Sequence, residues 1–212
     1  MKRYIVIREF LKCLEDNDIA IFSENEMSKE AFQYDREGSF YITDSPGSAL
    51  SIALGVAMNT NKRVFVFIND ECFLREVGAA AQAAVSKCVN IFYVMLNSGY
   101  YQSSGFQPTI FEGFAGIKSF LYGSGFIVYD FSHYFKDKAF SVIHSIINNV
   151  KGPMAILIKI DKGLKKGLKN LDNKINFKER LMSFINDEEL GTSLFVPPTV
   201  VIDRDFMQGG NK

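Results

Sequence analysis

The segment Val64-Phe65-Val66-Phe67-Ile68 is followed, after an alanine-rich stretch from Phe73 to Ser86, by Asn90-Ile91-Phe92-Tyr93-Val94-Met95-Leu96. Both outer runs are apolar without alternation, the pattern of strands covered on two faces, and the stretch between them has helical spacing. Strand, helix and strand in that order make a parallel crossover. The alternation continues in both directions. Upstream lie Ile7, Phe10, Leu11 and Leu14 at helical spacing within 4–15, the run Ile19–Phe22, a helix over 26–34 and a brief strand at Phe40–Ile42. A small-residue helix from Ala49 to Met58 follows, with Ala53, Gly55 and Ala57 permitting close packing. Downstream, helices are expected around 113–121 and 135–149, with strands at 125–130 and Ala155–Ile160. The pattern predicts a three-layer α/β/α fold with a mostly parallel sheet.

The C-terminal part has a different texture. Phe177, Leu181, Phe184 and Ile185 form an apolar stripe, which predicts a helix at 176–186 docked on the domain. Residues 1–190 then make one unit, and 191–212, with Pro197-Pro198 and Gly209-Gly210, read as an extended tail. Lys162, Lys165, Lys166 and Lys169 form a basic stretch interrupted by glycines, read as a solvated linker or helix edge.

Composition narrows the chemistry. The 24 Lys and Arg residues balance 24 Asp and Glu, so there is no electrostatic case for nucleic-acid binding. No apolar run reaches the roughly 18–20 residues of a membrane span, and charges at Lys2, Arg3 and Arg8 break any early signal sequence. A soluble cytoplasmic protein is the default expectation. Cys13, Cys72 and Cys88 have no C-x-x-C spacing, which argues against a disulfide framework and a zinc knuckle. With only His133 and His144, eleven positions apart, a bound metal would be a hard cation on oxygen ligands, and a Ser-His-Asp hydrolase is disfavoured.

In open parallel sheets ligands bind beyond the carboxyl ends of the strands. Three such ends carry polar or glycine-containing turns: Asp44-Ser45-Pro46-Gly47-Ser48, Asn69-Asp70-Glu71-Cys72 and Asn97-Ser98-Gly99-Tyr100-Tyr101. One crossover places Asp70 and Asn97 at neighbouring ends, and the Gly99 carbonyl could add a third oxygen. Such a half-filled octahedron suits Mg²⁺, whose remaining positions take water and ligand phosphates. Asp and Asn after strands are also ordinary turn formers and helix caps, so the pattern alone leaves both readings open.

Several stretches resemble the diphosphate-binding half of thiamine diphosphate (ThDP) enzymes, and most nearly the sulfopyruvate and phosphonopyruvate decarboxylases. They are Met27-Ser28-Lys29-Glu30-Ala31-Phe32, Ser45–Ala49 with Ile52-Ala53-Leu54-Gly55, Asn69-Asp70-Glu71, and Asn97 through Thr109, which ends in Gln107-Pro108-Thr109. The resemblance covers about residues 1–190 and implies a ThDP-binding fold. It implies that Asp70, Asn97 and the Gly99 carbonyl bind Mg²⁺, which holds the cofactor's diphosphate. Gly47 and Ser48 would line the neighbouring strand end, Glu71 and Cys72 would approach the diphosphate, and Tyr101, Gln102, Ser103 and Ser104 would face cofactor or substrate. It further implies a β-type chain that works with a separate pyrimidine-domain α subunit, as a heterodimer or higher heteromer, on a 3-phosphono- or 3-sulfo-substituted 2-oxo acid.

The chain departs from the family pattern at Asn69 and Glu71, which stand where glycines flank the aspartate, at Pro46 and Ser48, and in Glu24-Asn25-Glu26. Two like charges about 4 Å apart repel by about 1 kcal/mol even in bulk water, so a carboxylate at 71 opposes a phosphate. The alternative reading is therefore a non-catalytic interaction subunit that keeps the fold without ThDP. A generic nucleotide-binding module ranks last, for want of a Gly-x-Gly-x-x-Gly or Lys-containing phosphate loop. Among the 20 Phe residues, Phe106, Phe111, Phe114 and Phe120 are the interface candidates. Cys72 is read as a small turn residue rather than a thiolate, His144 as a helix residue with a local hydrogen bond, and His133 as a surface loop residue.

Overall fold

In the computed structural model residues 1–45, 47–111, 115–132, 136–172 and 174–186 are described. Pro46, Phe114, His133 and the tail at 191–212 lie outside the described residues. The chain runs α1 (Arg3–Leu11), β1 (Ile19–Phe22), α2 (Asn25–Phe32), β2 (Ser39–Tyr41), α3 (Ala49–Ala57), β3 (Val64–Asn69) and α4 (Asp70–Arg75). It continues through α5 (Val77–Val85), β4 (Ile91–Asn97), α6 (Ala115–Ser124), β5 (Ile127–Asp130), α7 (Lys136–Asn149), β6 (Met154–Lys159) and α8 (Phe177–Asn186). The strands form one sheet in the order β2-β1-β3-β4-β6-β5, and every pairing within it is parallel.

Side chains alternate across each strand, which divides the interior in two. Ile19, Ile21, Val64, Val66, Ile68, Tyr93, Met95 and Leu157 face one side, covered by α3, α4, α5, α6 and α8. Phe22, Phe65, Phe67, Phe92, Val94, Leu96 and Ile156 face the other, covered by α1, α2 and α7. That second side is strongly aromatic. Phe22 stacks on Phe67 at 4.7 Å, Phe65 on Phe92 at 4.6 Å, and Phe10 of α1 meets Phe67 edge-on at 5.2 Å. Each ring withdrawn from water contributes about 1.5–3 kcal/mol, so this layer fixes both register and helix placement. Among the described residues no helix is long and apolar enough to cross a membrane.

Helix α8 lies against β2, a sheet edge that would otherwise be open. Leu181 is buried, Phe177 packs edge-on to Phe32 and Tyr41, and Arg180 donates to Asp35 at 2.8 and 3.0 Å and to the Ser39 carbonyl. Two expectations change. The stretch 73–86 is not one helix: Glu76, at φ −124° and ψ 23°, separates α4 from α5. The lysines after β6 lie in a linker, one of the two expected readings; Lys162 Nζ lies 4.2 Å from the Tyr100 ring and Lys165 Nζ 4.4 Å from Tyr4, covering aromatic faces as cations do. Phe111 and Phe120 are not wholly surface rings: both are half-buried and pack on buried Phe73 at 6.0 and 5.8 Å. Ile110 and Tyr122, 80% and 76% exposed, are the apolar side chains that this part of the chain presents to solvent.

Candidate functional site

The chain enters the sheet at β1, moves to β2 on one side and then to β3 on the other, so the direction of winding reverses between β1 and β3. Beyond that point stand Ser23 and Glu24 after β1, Asp70 after β3 and Asn97 ending β4. Asn69 pairs in register with Leu96, which brings Asp70 and Asn97 out of the sheet at one level on neighbouring strands.

Both are 1% exposed. The Asp70 carboxylate accepts a 2.8 Å hydrogen bond from the Thr109 hydroxyl and a longer one, 3.4 Å, from the Ser98 N–H. Burial pushes its pKa up, against the pull of those donors. The Asn97 amide oxygen accepts from the Gly99 N–H at 2.7 Å, and its nitrogen donates to the Phe111 carbonyl. Gly99, at φ +77°, occupies the left-handed region that lets the chain reverse there, and its carbonyl accepts from Thr109 N–H at 2.8 Å.

Residues 97–111, between β4 and α6, carry ordered pairings of their own. Tyr100 and Pro108 form an antiparallel bridge, Tyr101 N–H reaches the Gln107 carbonyl, and Phe106 N–H reaches the Tyr101 carbonyl, both at 2.9 Å. This small hairpin folds over the β3 and β4 ends. Its Gln102 is 3% exposed, yet neither polar atom of the side chain finds a partner among the described residues.

Glu71 turns toward that hairpin. Its carboxylate, 3% exposed, accepts from Ser103 Oγ at 2.6 Å, Ser104 Oγ at 3.3 Å and Ser103 N–H at 3.4 Å, with the Arg75 guanidinium 3.4 Å away. Asn69 caps the short helix α4 by accepting from Cys72 N–H at 2.7 Å. Glu76 reaches across to α3 and accepts from Leu50 and Ser51 N–H at 2.8 and 3.1 Å, supplying the cap that Ser48 does not. Burial nevertheless raises the Glu76 pKa.

Behind the site lies a buried ion cluster. Arg3 of α1, whose side chain is inaccessible, donates to Glu24 and, at 2.8 Å, to Glu30. Burial works against the guanidinium charge, but the two carboxylates outweigh it and hold Arg3 above its ordinary value. Burial pushes Glu24 up despite Arg3, and the Glu71 charge adds to that rise.

Asp70 is a buried carboxylate with no cation against it among the described residues, and Asn97 stands on the adjacent strand end with the Gly99 carbonyl in the loop just beyond. Oxygens of this kind are the donors a hard divalent cation takes, and each here already accepts a hydrogen bond from within the chain. The Glu71 carboxylate oxygens occupy the serine donors beside this set, so a diphosphate directed to the same donors would have to displace them. Of the other expected residues, Gly47 is exposed, with Arg75 Cβ 3.4 Å from where its own Cβ would stand, and Ser48 bonds the Ser45 carbonyl. Cys72 is fully buried against the Ser23 carbonyl, and burial pushes its thiol up, so no thiolate is available. Tyr101 contributes main-chain hydrogen bonds within the hairpin. His144 lies 3.2 Å from Asn148 on α7. Sequence reasoning did not single out Thr109, Glu76, Arg75 or Arg3 for a role. Only Thr109 left a trace, as the last residue of Gln107-Pro108-Thr109.

The fold is that of the thiamine diphosphate-binding enzymes. Benzoylformate decarboxylase from Polynucleobacter necessarius superposes with a TM-score of 0.61 over 76% of this chain and 33% of its own, at 15% identity. The 4-hydroxybenzoylformate decarboxylase of Rhodococcus jostii RHA1 gives 0.59 over 79% and 33%, at 16% identity. In sequence, residues 26–129 match the family described as thiamine pyrophosphate enzyme, C-terminal TPP binding domain. The chain resembles two kinds of decarboxylase within that class. It is 30% identical over 109 residues to the sulfopyruvate decarboxylase subunit beta of Methanocaldococcus jannaschii, covering 51% of this chain and 58% of the relative. It is 28% identical over 109 residues to the phosphonopyruvate decarboxylase of Streptomyces hygroscopicus, covering 51% of this chain and 27% of the relative. The chain thus matches little more than half the length of the first relative and about a quarter of the second.

Proposed function

We propose that this chain is the diphosphate-binding β subunit of a ThDP- and Mg²⁺-dependent decarboxylase acting on a phosphono- or sulfo-substituted 2-oxo acid. The observation that carries the reading is the Asp70–Asn97 pair: two buried oxygen side chains at one level on adjacent strands, beside the winding reversal. The name "subunit beta" of two relatives supports a division of the enzyme between chains, with a separate pyrimidine-domain α subunit in a heterodimer or larger heteromer. A cytoplasmic setting accords with three unpaired cysteines.

When bound, ThDP supplies the carbanion that adds to the 2-oxo group and the ring that takes up the electron pair left by CO₂. The residues here bind and orient. Asp70, Asn97 and the Gly99 carbonyl would hold the metal, and the hydrogen bonds from Thr109 and Ser98 fix the Asp70 carboxylate in place. Gly47 and Ser48 line the α3 side. Tyr101, Gln102 and Ser103 form the hairpin rim, where the unpaired Gln102 amide N–H would be a donor to an anionic substrate.

The test is CO₂ release from sulfopyruvate or phosphonopyruvate by the full chain assembled with its pyrimidine-domain subunit, ThDP and Mg²⁺. Asp70→Ala should abolish both turnover and magnesium-dependent cofactor binding; activity that survives this change removes the metal role. One observation favours a second reading, the non-catalytic subunit: Glu71 occupies donors that a phosphate would use. Calorimetry of the assembled complex separates the two, because magnesium-dependent ThDP binding is incompatible with it.

A further inference from the structure

The Glu71 carboxylate sits in a set of donors suited to a phosphate: two hydroxyls, a main-chain N–H and a guanidinium, at 2.6 to 3.4 Å. It does so against opposition. Glu24 and Asp70 are both buried nearby, and the Glu71 charge disfavours ionisation of each. Arg3 bonds Glu24 and Glu30 through two of its nitrogens and makes no ion pair with Glu71 among the described residues. What holds Glu71 in place is the tip of the hairpin, through Ser103 and Ser104, together with the longer contact to Arg75. Beside them Gln102 is buried with its amide unpartnered, a polar group sealed into the site without a mate.

We infer that Glu71 is an internal latch, whose carboxylate fills the seat of a metal-bound diphosphate and pins the 101–105 tip over Asp70 until that anion displaces it. The inference rests on the decarboxylase-subunit reading and adds to it a gate within this chain. The rest of the hairpin keeps its shape without the latch, since the Tyr101–Gln107, Tyr101–Phe106 and Tyr100–Pro108 contacts do not involve Glu71. Release therefore frees the tip alone: Ser103 and Ser104 exchange one anion for another, and Gln102 gains access to a partner. A side chain in this role limits affinity instead of creating it, so its removal should strengthen binding, which damage to the fold does not do.

The probe is inorganic pyrophosphate with Mg²⁺, titrated calorimetrically into the full chain. Glu71→Gly should bind it at least tenfold more tightly than the native chain, about 1.4 kcal/mol. Glu71→Gln, which keeps the side-chain volume and can still meet Ser103, should move in the same direction by less. In hydrogen–deuterium exchange the 100–107 segment should exchange faster in Glu71→Gly without ligand and slow when Mg-pyrophosphate is added. Affinities within threefold for the native chain and Glu71→Gly overturn the latch, as does failure of both to bind. The underlying reading fails separately: adding Asp70→Ala to Glu71→Gly should erase the magnesium dependence, and a gain that survives unchanged leaves the latch standing without its metal. Native binding of ThDP and Mg²⁺ as tight as that of Glu71→Gly supports the reading and refutes the latch.

Discussion

Replacing Arg3 by Met tests the buried ion cluster behind the site. The guanidinium is inaccessible, Glu24 and Glu30 have side chains 8% and 1% exposed, and its two bonds tie α1 to α2. Met keeps the length of the aliphatic stem but strands two carboxylates in the interior. Breaking a buried pair in this way costs about 3–5 kcal/mol. The structure points to the lower end, because Glu30 still accepts from Lys165 N–H at 3.3 Å and Asn69 remains near Glu24. In a chain of this size 1 kcal/mol moves the midpoint by about 2–4 °C, so Tm should fall by about 6–12 °C. Urea unfolding followed by far-UV circular dichroism at pH 7 measures the loss directly. The sign with pH follows from linkage. Without Arg3 the Glu24 carboxylate, already pushed up by burial, rises further. Its penalty is full above that folded-state value and vanishes below the unfolded value of about 4.3. The deficit should therefore shrink as pH falls toward 4. Arg3→Met with Glu24→Gln and Glu30→Gln should recover most of the stability at pH 7. A single-variant loss under about 1 kcal/mol, or a triple variant no better than the single, refutes the reasoning.

Other perturbations probe separate contacts. Asn90 donates to the carbonyls of Ala57, Thr60 and Lys62 at 2.9–3.0 Å, so Asn90→Ala should cost about 1–3 kcal/mol in urea unfolding with an unchanged m-value. Glu76→Ala removes the α3 cap and should cost about 1–2 kcal/mol, whereas Glu76→Gln should cost far less. Because burial raises the Glu76 pKa, native stability relative to Glu76→Gln should decline as pH rises from below the unfolded value through the folded one, as paired unfolding curves would show. With Cys72 fully buried and its thiol pushed up by burial, a thiol reagent at pH 8 should modify half-buried Cys88 first and reach Cys72 only on unfolding. A Cβ at position 152 would lie 2.4 Å from the Ile91 carbonyl, so Gly152→Ala should be among the most destabilising single changes, read as a fall in Tm of several degrees.

The layered fold is legible in the sequence because its central strands are apolar on every residue. Burial on two faces leaves little room for a polar side chain from Val64 to Ile68 or from Ile91 to Leu96, and no other class of element reads that way at that length. The Asp70 and Asn97 positions are legible for the same reason, as the first polar groups past the ends of such runs. The break at Glu76 was not. Nothing in Phe73–Ser86 interrupts the apolar spacing, and the cause is a bond to α3 that sequence distance conceals. The fate of Phe111 and Phe120 was equally hidden, since an aromatic ring suits an interior as well as a contact surface, and only the position of Phe73 decides between them. The conformation of Glu71 depends on a loop more than thirty residues away.

Glu76 has one more consequence. By dividing one helix into two it leaves Asp70–Arg75 as a separate turn, moored at its start by Asn69 and joined past its far end, through Glu76, to the first residues of α3. The short helix thus has an anchor at each end, and one carboxylate serves two elements: the N–H groups that open α3 and the segment bearing Asp70 and Glu71 share Glu76 as their common tie.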